Sequence, residues 1–278
     1  MIIDFHTHTF PDKIADGAIE KLKFASHTRA FTNGTESELL KSMDRAGIAK
    51  SIVLPVATNP EKIPHINDIS AEKNKDGRLI YFAAMHPDCD NAKGELRRIR
   101  DLGIKGIKLH PVYQNINFDD IRTLRILDYA EELGLITVTH AGLDIGFPGV
   151  ERCTPGMIKK AVSEIKPKKL VLAHMGGWRK WQEAAELLAM RDLYIDTAFS
   201  IGKMVQDTHY YSDEELMLLS HDGAKKIISA FGADHVLFGT DSPWSDPKTA
   251  IDDILKLSIA DDVKEKILHK NAEVLLGI

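Results

Sequence analysis

Cysteine is nearly missing from this chain: 278 residues contain only Cys89 and Cys153. Two scattered thiols without CxxC spacing cannot build a disulfide framework, and they fit a reducing compartment better than an oxidising one. No uninterrupted apolar stretch approaches the roughly 18 residues that a membrane helix needs. The N-terminus, Met1-Ile2-Ile3-Asp4-Phe5-His6-Thr7-His8, has no cationic leader and carries histidines where an apolar signal core would lie. A soluble, cytoplasmic protein without a membrane partner is the expectation. Positive charge is also modest. Lys plus Arg number 36 against 41 Asp plus Glu, a formal charge of −5, and no basic stripe or run of like charge favours a nucleic-acid partner. With 44% apolar and 28% charged residues, the composition excludes disordered, collagenous and fibrous classes.

No linker, composition shift or internal repeat divides residues 1–278, so a single domain is expected. What does recur is a short β-branched or apolar run followed by a longer amphipathic stretch. The strand candidates are Met1–His6, Lys50–Val56, Leu79–Met85, Ile104–His110, Leu135–His140, Lys169–His174, Leu193–Thr197 and His235–Asp241. Each has the continuous apolar character of a strand buried on both faces. Helical spacing follows in Ile121, Leu124, Leu127, Ala130 and Leu133. Helix starts of the S/T-x-x-E form stand at Thr35–Glu38 and Ser212–Glu215, and Gly47, Gly103 and Gly134 read as stops. Eight strands alternating with helices fit a closed barrel, and an open doubly wound sheet would show the same alternation. Segments Phe10–Gly34 and Thr197–Ser212 are expected as flaps over a site.

Several of the runs end in a side chain that can bind metal: His6 and His8, Lys108 and His110, His140, His174, and Asp241. In a barrel the C-terminal strand ends share one mouth, so residues distant in sequence converge there. Alternation puts His6 and His8 on one face together with Asp4, and Lys108 with His110, while Ile107 and Leu109 face helices. Taken alone, an HxH pair is as readily two packed, hydrogen-bonded histidines as a ligand pair. Three histidines and an aspartate together supply the donor types that zinc or another borderline divalent ion takes. Asp4 is placed either to accept the free N–H of a ligand imidazole or to serve as an ordinary hydrogen-bonded strand residue. His110 either contacts substrate or simply ends its strand.

The pieces Asp4-Phe5-His6-Thr7-His8, Gly106-Ile107-Lys108-Leu109-His110-Pro111, Thr139-His140-Ala141-Gly142, Leu172-Ala173-His174-Met175-Gly176-Gly177 and Phe238-Gly239-Thr240-Asp241-Ser242-Pro243 together resemble the amidohydrolase superfamily. Within it they are similar to the branch of aminocarboxymuconate-semialdehyde decarboxylase and related metal-dependent hydrolases. Asn271-Ala272-Glu273-Val274-Leu275 also fits, so the likeness runs in order along the chain. It implies a (β/α)8 TIM barrel with its metal site at the C-terminal strand ends. It also implies one divalent ion, usually zinc, held by His6, His8, His140 and Asp241, with His174 beside the attacking water. Binuclear relatives carry a carboxylated lysine where Lys108 stands, which leaves a second metal as the alternative.

Asp241 and His174 are thus the expected catalytic groups, and Lys108, Arg152 and Arg179 the cations for a substrate carboxylate. For each arginine the competing reading is a solvated surface residue. The expected activity is hydrolysis of a C–N or C–O bond (amide, cyclic amide or lactone) in a small, carboxylated substrate. The alternative is nonoxidative decarboxylation of an aromatic or muconate-like acid, and a non-catalytic binding barrel is a third reading. Barrels of this kind often pair, so a homodimer is admitted.

Overall fold

Every one of the eight apolar runs becomes a strand in the computed structural model, which describes residues 1–74, 77–189 and 191–278. The strands are β1 (Ile3–Thr7), β2 (Lys50–Val53), β3 (Leu79–Tyr81), β4 (Ala83–Ala84), β5 (Gly106–Leu109), β6 (Ile136–Thr139), β7 (Leu170–Leu172), β8 (Tyr194–Asp196) and β9 (Val236–Leu237). β3 and β4 are one run interrupted at Phe82, whose N–H donates to the carbonyl of Val53 at 3.0 Å. All pairings are parallel, in the order β1-β2-β3 and β4 through β9. The ring closes between first and last strands: Phe5 N–H donates to Phe238 O, and His8 N–H to Ser242 O, each at 2.7 Å. The protein is therefore an α/β barrel, and the open-sheet reading is set aside.

Two apolar layers follow from this closure. Phe5, Ile52, Leu54, Phe82, Val138 and Val171 fill the barrel interior with Ala272, Leu275 and Leu276 of α13 (Asn271–Leu276), which plugs the N-terminal end. Ile107, Leu109 and Ile195 lie in the outer layer, among helix residues such as Leu96, Leu127 and Ile158. Burying both faces of each strand is what makes these strands uniformly apolar in sequence.

The helix signals hold with two exceptions. Thr35 caps α2 (Glu36–Ala46) by accepting Glu38 N–H, and Gly47 ends it at φ 72°. In α6 (Ile121–Glu132), Leu124, Leu127 and Ala130 are buried, but Ile121 is exposed at the first turn. Ser212 and Glu215 form a full capping box, yet the helix it starts, Asp213–Leu216, is one turn long. Met217 leaves it in extended conformation to bridge Lys203; pairing across the loop outweighs continuing the helix. Segment Phe10–Gly34 forms α1 (Asp12–Ser26). The two expected flaps are hydrogen-bonded together, with Arg29 N–H donating to Val205 O at 2.8 Å and Thr28 bridging Gln206. No helix among the described residues is long and apolar enough to cross a membrane.

Candidate metal centre at the barrel mouth

The C-terminal ends of β1, β5, β6, β7 and β9 bring His6, His8, Lys108, His140, His174 and Asp241 to one cluster, buried except for the half-buried His8. His6 Nε2 lies 3.2 Å from His8 Nε2 and 3.3 Å from Asp241 Oδ1, and His8 Nε2 is 3.2 Å from the same oxygen. These spacings match the edges of a tetrahedron around a divalent ion with bonds of about 2.0–2.1 Å, roughly 3.3–3.4 Å.

The far side of each ring says which nitrogen carries the hydrogen. His8 Nδ1 faces the carbonyl of Leu54 at 2.8 Å, and a carbonyl only accepts, so Nδ1 holds the hydrogen and neutral His8 presents a lone pair at Nε2. His6 Nδ1 donates to Asp196 Oδ2 at 2.9 Å, leaving its Nε2 in the same state. Two lone pairs and a carboxylate oxygen thus meet at one point, an arrangement that requires a cation or an added proton between them. Lys108 Nζ stands 3.2 Å from His6 Nε2.

The same argument applies to the neighbouring pair. His174 Nδ1 donates to Ala198 O and His140 Nε2 to Leu143 O, both at 2.9 Å. Their inner nitrogens, His174 Nε2 and His140 Nδ1, lie 3.1 Å apart. When both rings are neutral these are two facing lone pairs. His140 meets His174 rather than the three atoms shared by His6, His8 and Asp241, which group by themselves. The residues present therefore fit a divalent cation: histidine nitrogens with unprotonated faces, one carboxylate, and outer N–H groups held by fixed acceptors.

Burial sets the electrostatics. His6 is 1% exposed; desolvation, then Lys108, holds its pKa well below the ordinary imidazole value. Desolvation, then Lys108, brings His140 down to about 4. Both rings stay neutral at pH 7, as a ligand must. Desolvation also lowers Lys108, itself 1% exposed, to about 8, against the opposing charges of Asp196 and Asp241. For Asp241 burial pushes the carboxyl up, but His6, His8 and His174 outweigh it and keep the group ionised. His174 and Asp241 also hold left-handed backbone, φ 59° and 61°. Non-glycine residues adopt that conformation at a cost of roughly 1–2 kcal/mol, and such residues gather at functional sites.

Asp4 differs from one of its two expected readings. Its carboxylate accepts no imidazole; Oδ1 takes the N–H groups of His6 and Thr240, and Oδ2 the Thr240 hydroxyl. The register of β1 shifts between Asp4 and Thr7, so simple alternation does not carry Asp4 and His6 to the same face. The imidazole acceptor is instead Asp196, which sequence reasoning missed although it ends a strand. The signal was available: an aspartate in the last turn of an otherwise apolar run. Asp196 also accepts His174 N–H and Ala198 N–H through Oδ1.

Each arginine has loop partners. Arg152 clasps the side-chain oxygens of Asn117 and Asn115 at 2.9 and 2.7 Å. Arg179 lies 5.0 Å over Trp178 and donates to the carbonyls of Glu215 and Met217. Lys108 is the cation beside the histidines. His110 caps the short helix α5 (Pro111–Gln114) and stacks on His140 at 4.4 Å. Asp144 and Tyr113, also unforeseen, complete that wall.

A family model described as Amidohydrolase matches residues 3–278. No curated protein matches the sequence. Among solved structures, the chain is similar to 5-carboxyvanillate decarboxylase LigW from Sphingomonas paucimobilis (16% identity, TM-score 0.72, covering 100% of this chain and 99% of that one). It is also similar to a dihydroxybenzoic acid decarboxylase from Polaromonas sp. JS666 holding manganese and 2-nitroresorcinol (16% identity, TM-score 0.71, 99% and 96% covered). A third is a Pseudomonas putida protein named as a candidate 2-pyrone-4,6-dicarboxylic acid hydrolase (16% identity, TM-score 0.65, 99% and 97% covered). At these identities the likeness is one of fold.

Proposed function

Since the chain belongs to the amidohydrolase family, an enzyme family acting on small molecules, we propose that it is a metal-dependent hydrolase of a C–N or C–O bond. An amide, cyclic amide or lactone in a small carboxylated molecule is the substrate class. The observation that carries this reading is the meeting of unprotonated His6 Nε2 and His8 Nε2 with Asp241 Oδ1 at 3.2–3.3 Å. His6, His8 and Asp241 would hold one divalent ion, zinc by donor type, and His140 would join them through Nδ1. A bound ion supplies Lewis acidity toward the substrate carbonyl and makes water a better nucleophile near neutral pH. Asp241, ionised and touching both imidazoles, accepts the proton of the attacking water and returns it to the leaving group. His174 Nε2, its lone pair facing the cluster, orients that water. Lys108 holds the substrate carboxylate; if carboxylated, it would instead be a candidate to help hold a second ion.

A second reading, nonoxidative decarboxylation, draws on the solved relatives named as decarboxylases and on the buried Lys108 ammonium, suited to a carboxylate about to leave. In that case Asp241 or His174 delivers the proton to the carbon that loses carbon dioxide.

One experiment separates them. Metal content is measured by elemental analysis, and the loaded enzyme is offered lactones, cyclic amides and ring carboxylates. Acid release without carbon dioxide supports hydrolysis; carbon dioxide release alone supports the second reading. A protein that binds no divalent ion overturns both.

A further inference from the structure

Beside the histidine cluster the mouth carries a second polar wall, built from His110, Tyr113 and Asp144. Asp144 is 9% exposed, and its two oxygens are used unequally. Oδ1 accepts Gly146 N–H at 2.8 Å. Among the described residues the side-chain nitrogens nearest Oδ2 are His110 Nε2 at 3.5 Å and His140 Nε2 at 3.9 Å, and the latter already donates to Leu143 O. The His110 ring is oriented from behind: its Nδ1 accepts Tyr113 N–H at 3.5 Å, so Nε2 carries the hydrogen toward Asp144. Tyr113 packs edge-on against His110 at 4.2 Å, with Phe147 against its other side at 5.1 Å. Its hydroxyl has no hydrogen-bond partner among the described residues. A carboxylate oxygen in a largely buried residue, 3.5 Å from its nearest side-chain donor, has acceptor capacity left for a donor on a bound molecule. His110 stacks on His140, and this oxygen lies 3.9 Å from His140 Nε2, so it stands beside one of the proposed metal ligands.

We propose that Asp144 is a specificity-determining residue: its Oδ2 accepts a hydrogen bond from a neutral donor, a hydroxyl or N–H, on the distal end of the substrate. The same carboxylate rejects a second carboxylate at that end by like-charge repulsion. This rests on the metal-dependent reading and narrows its substrate class to molecules with one acidic end and one hydroxyl- or amide-bearing end. Tyr113 and His110 frame the oxygen and are positioning residues in this scheme.

The test uses ligands that anchor on a protein-bound cation whatever the natural substrate is. Benzohydroxamate and its 3- and 4-hydroxy and 3- and 4-carboxy derivatives are titrated calorimetrically into the zinc-loaded protein. In the wild type at least one hydroxy derivative should bind about tenfold tighter than the parent, in keeping with a hydrogen bond to a charged group, and the carboxy derivatives more weakly. Asp144→Ala should remove the hydroxy advantage, and Asp144→Asn should relieve the carboxy penalty, while the parent compound binds all three proteins alike. Equal affinity of hydroxy and carboxy derivatives for the wild type overturns the proposal, as does a preference that survives in Asp144→Ala. Failure of the parent compound to bind a protein shown to hold zinc, or failure to hold zinc, overturns the metal-dependent reading and this inference with it.

Discussion

Asp4 and Thr240 join the first strand of the barrel to the segment that follows the last. The Thr240 hydroxyl donates to Asp4 Oδ2 at 2.6 Å and its N–H to Oδ1 at 3.0 Å, while Oδ1 also takes His6 N–H at 3.1 Å. One buried carboxylate thereby fixes the strand end that carries His6 relative to the turn that carries Asp241.

Replacing Asp4 by alanine leaves three buried donors without their acceptor. Two of them are main-chain N–H groups, each costing about 1–3 kcal/mol when left unsatisfied, so the loss should be at least about 2 kcal/mol, read by urea unfolding. Asp4→Asn keeps one acceptor and should lose less. Both variants should bind zinc more weakly than wild type in a chelator competition, since the ligands they position are no longer locked.

The same carboxyl gives a pH signature. Desolvation raises Asp4 to about 7, against the lowering effect of the Thr240 hydrogen bonds. The folded protein therefore binds that proton more tightly than the unfolded chain, whose carboxyl titrates near 3.9. Its contribution is full below about pH 4 and is lost as pH rises through 7. Thermal unfolding midpoints of wild type minus Asp4→Asn should fall between pH 4 and 7. A flat difference across that range contradicts the assignment.

Asp196 accepts the outer N–H of His6 and, through its other oxygen, two backbone N–H groups. Asp196→Asn should weaken metal binding by about 10–100-fold while leaving the barrel folded by circular dichroism.

Substitution at the two proposed catalytic groups should separate binding from chemistry. His174→Ala should retain its metal and lose about 100–10,000-fold in kcat. Asp241→Asn should lose both activity and metal affinity, because it removes a charged ligand as well as the proton carrier. Loss of the ion from His174→Ala would instead favour a binuclear centre.

Gly142 sits at φ 87°, and a Cβ there would lie 2.2 Å from Trp178 N. Gly142→Ala should therefore cost more than about 2 kcal/mol, combining a left-handed conformation with a backbone clash, and lower the unfolding temperature measurably.

Much of this architecture was legible in the residues. A strand buried on both faces must be continuously apolar, so all eight runs could be found by composition alone. Histidines and an aspartate follow that apolar character near the C-terminal ends of several strands, and for that reason His6, His8, His140, His174 and Asp241 stood out. Asp196 was overlooked because a single acid at a strand end looks like an ordinary boundary. Asp144 and Tyr113 carry no periodic signal at all; they lie in a loop and in a helix of four residues.

Sequence by itself determined which side chains end the strands and that the strands run parallel, because runs alternating with helices return each strand in the same direction. It did not determine how each ring is turned. Which nitrogen of His8 or His174 carries the hydrogen depends on carbonyls of Leu54 and Ala198, 46 and 24 positions away. Whether Arg152 and Arg179 meet the cluster or brace loops depends on where those loops pack. Hydrogen-bond partners of that kind are chosen by closure of the barrel, so only the tertiary structure decided them.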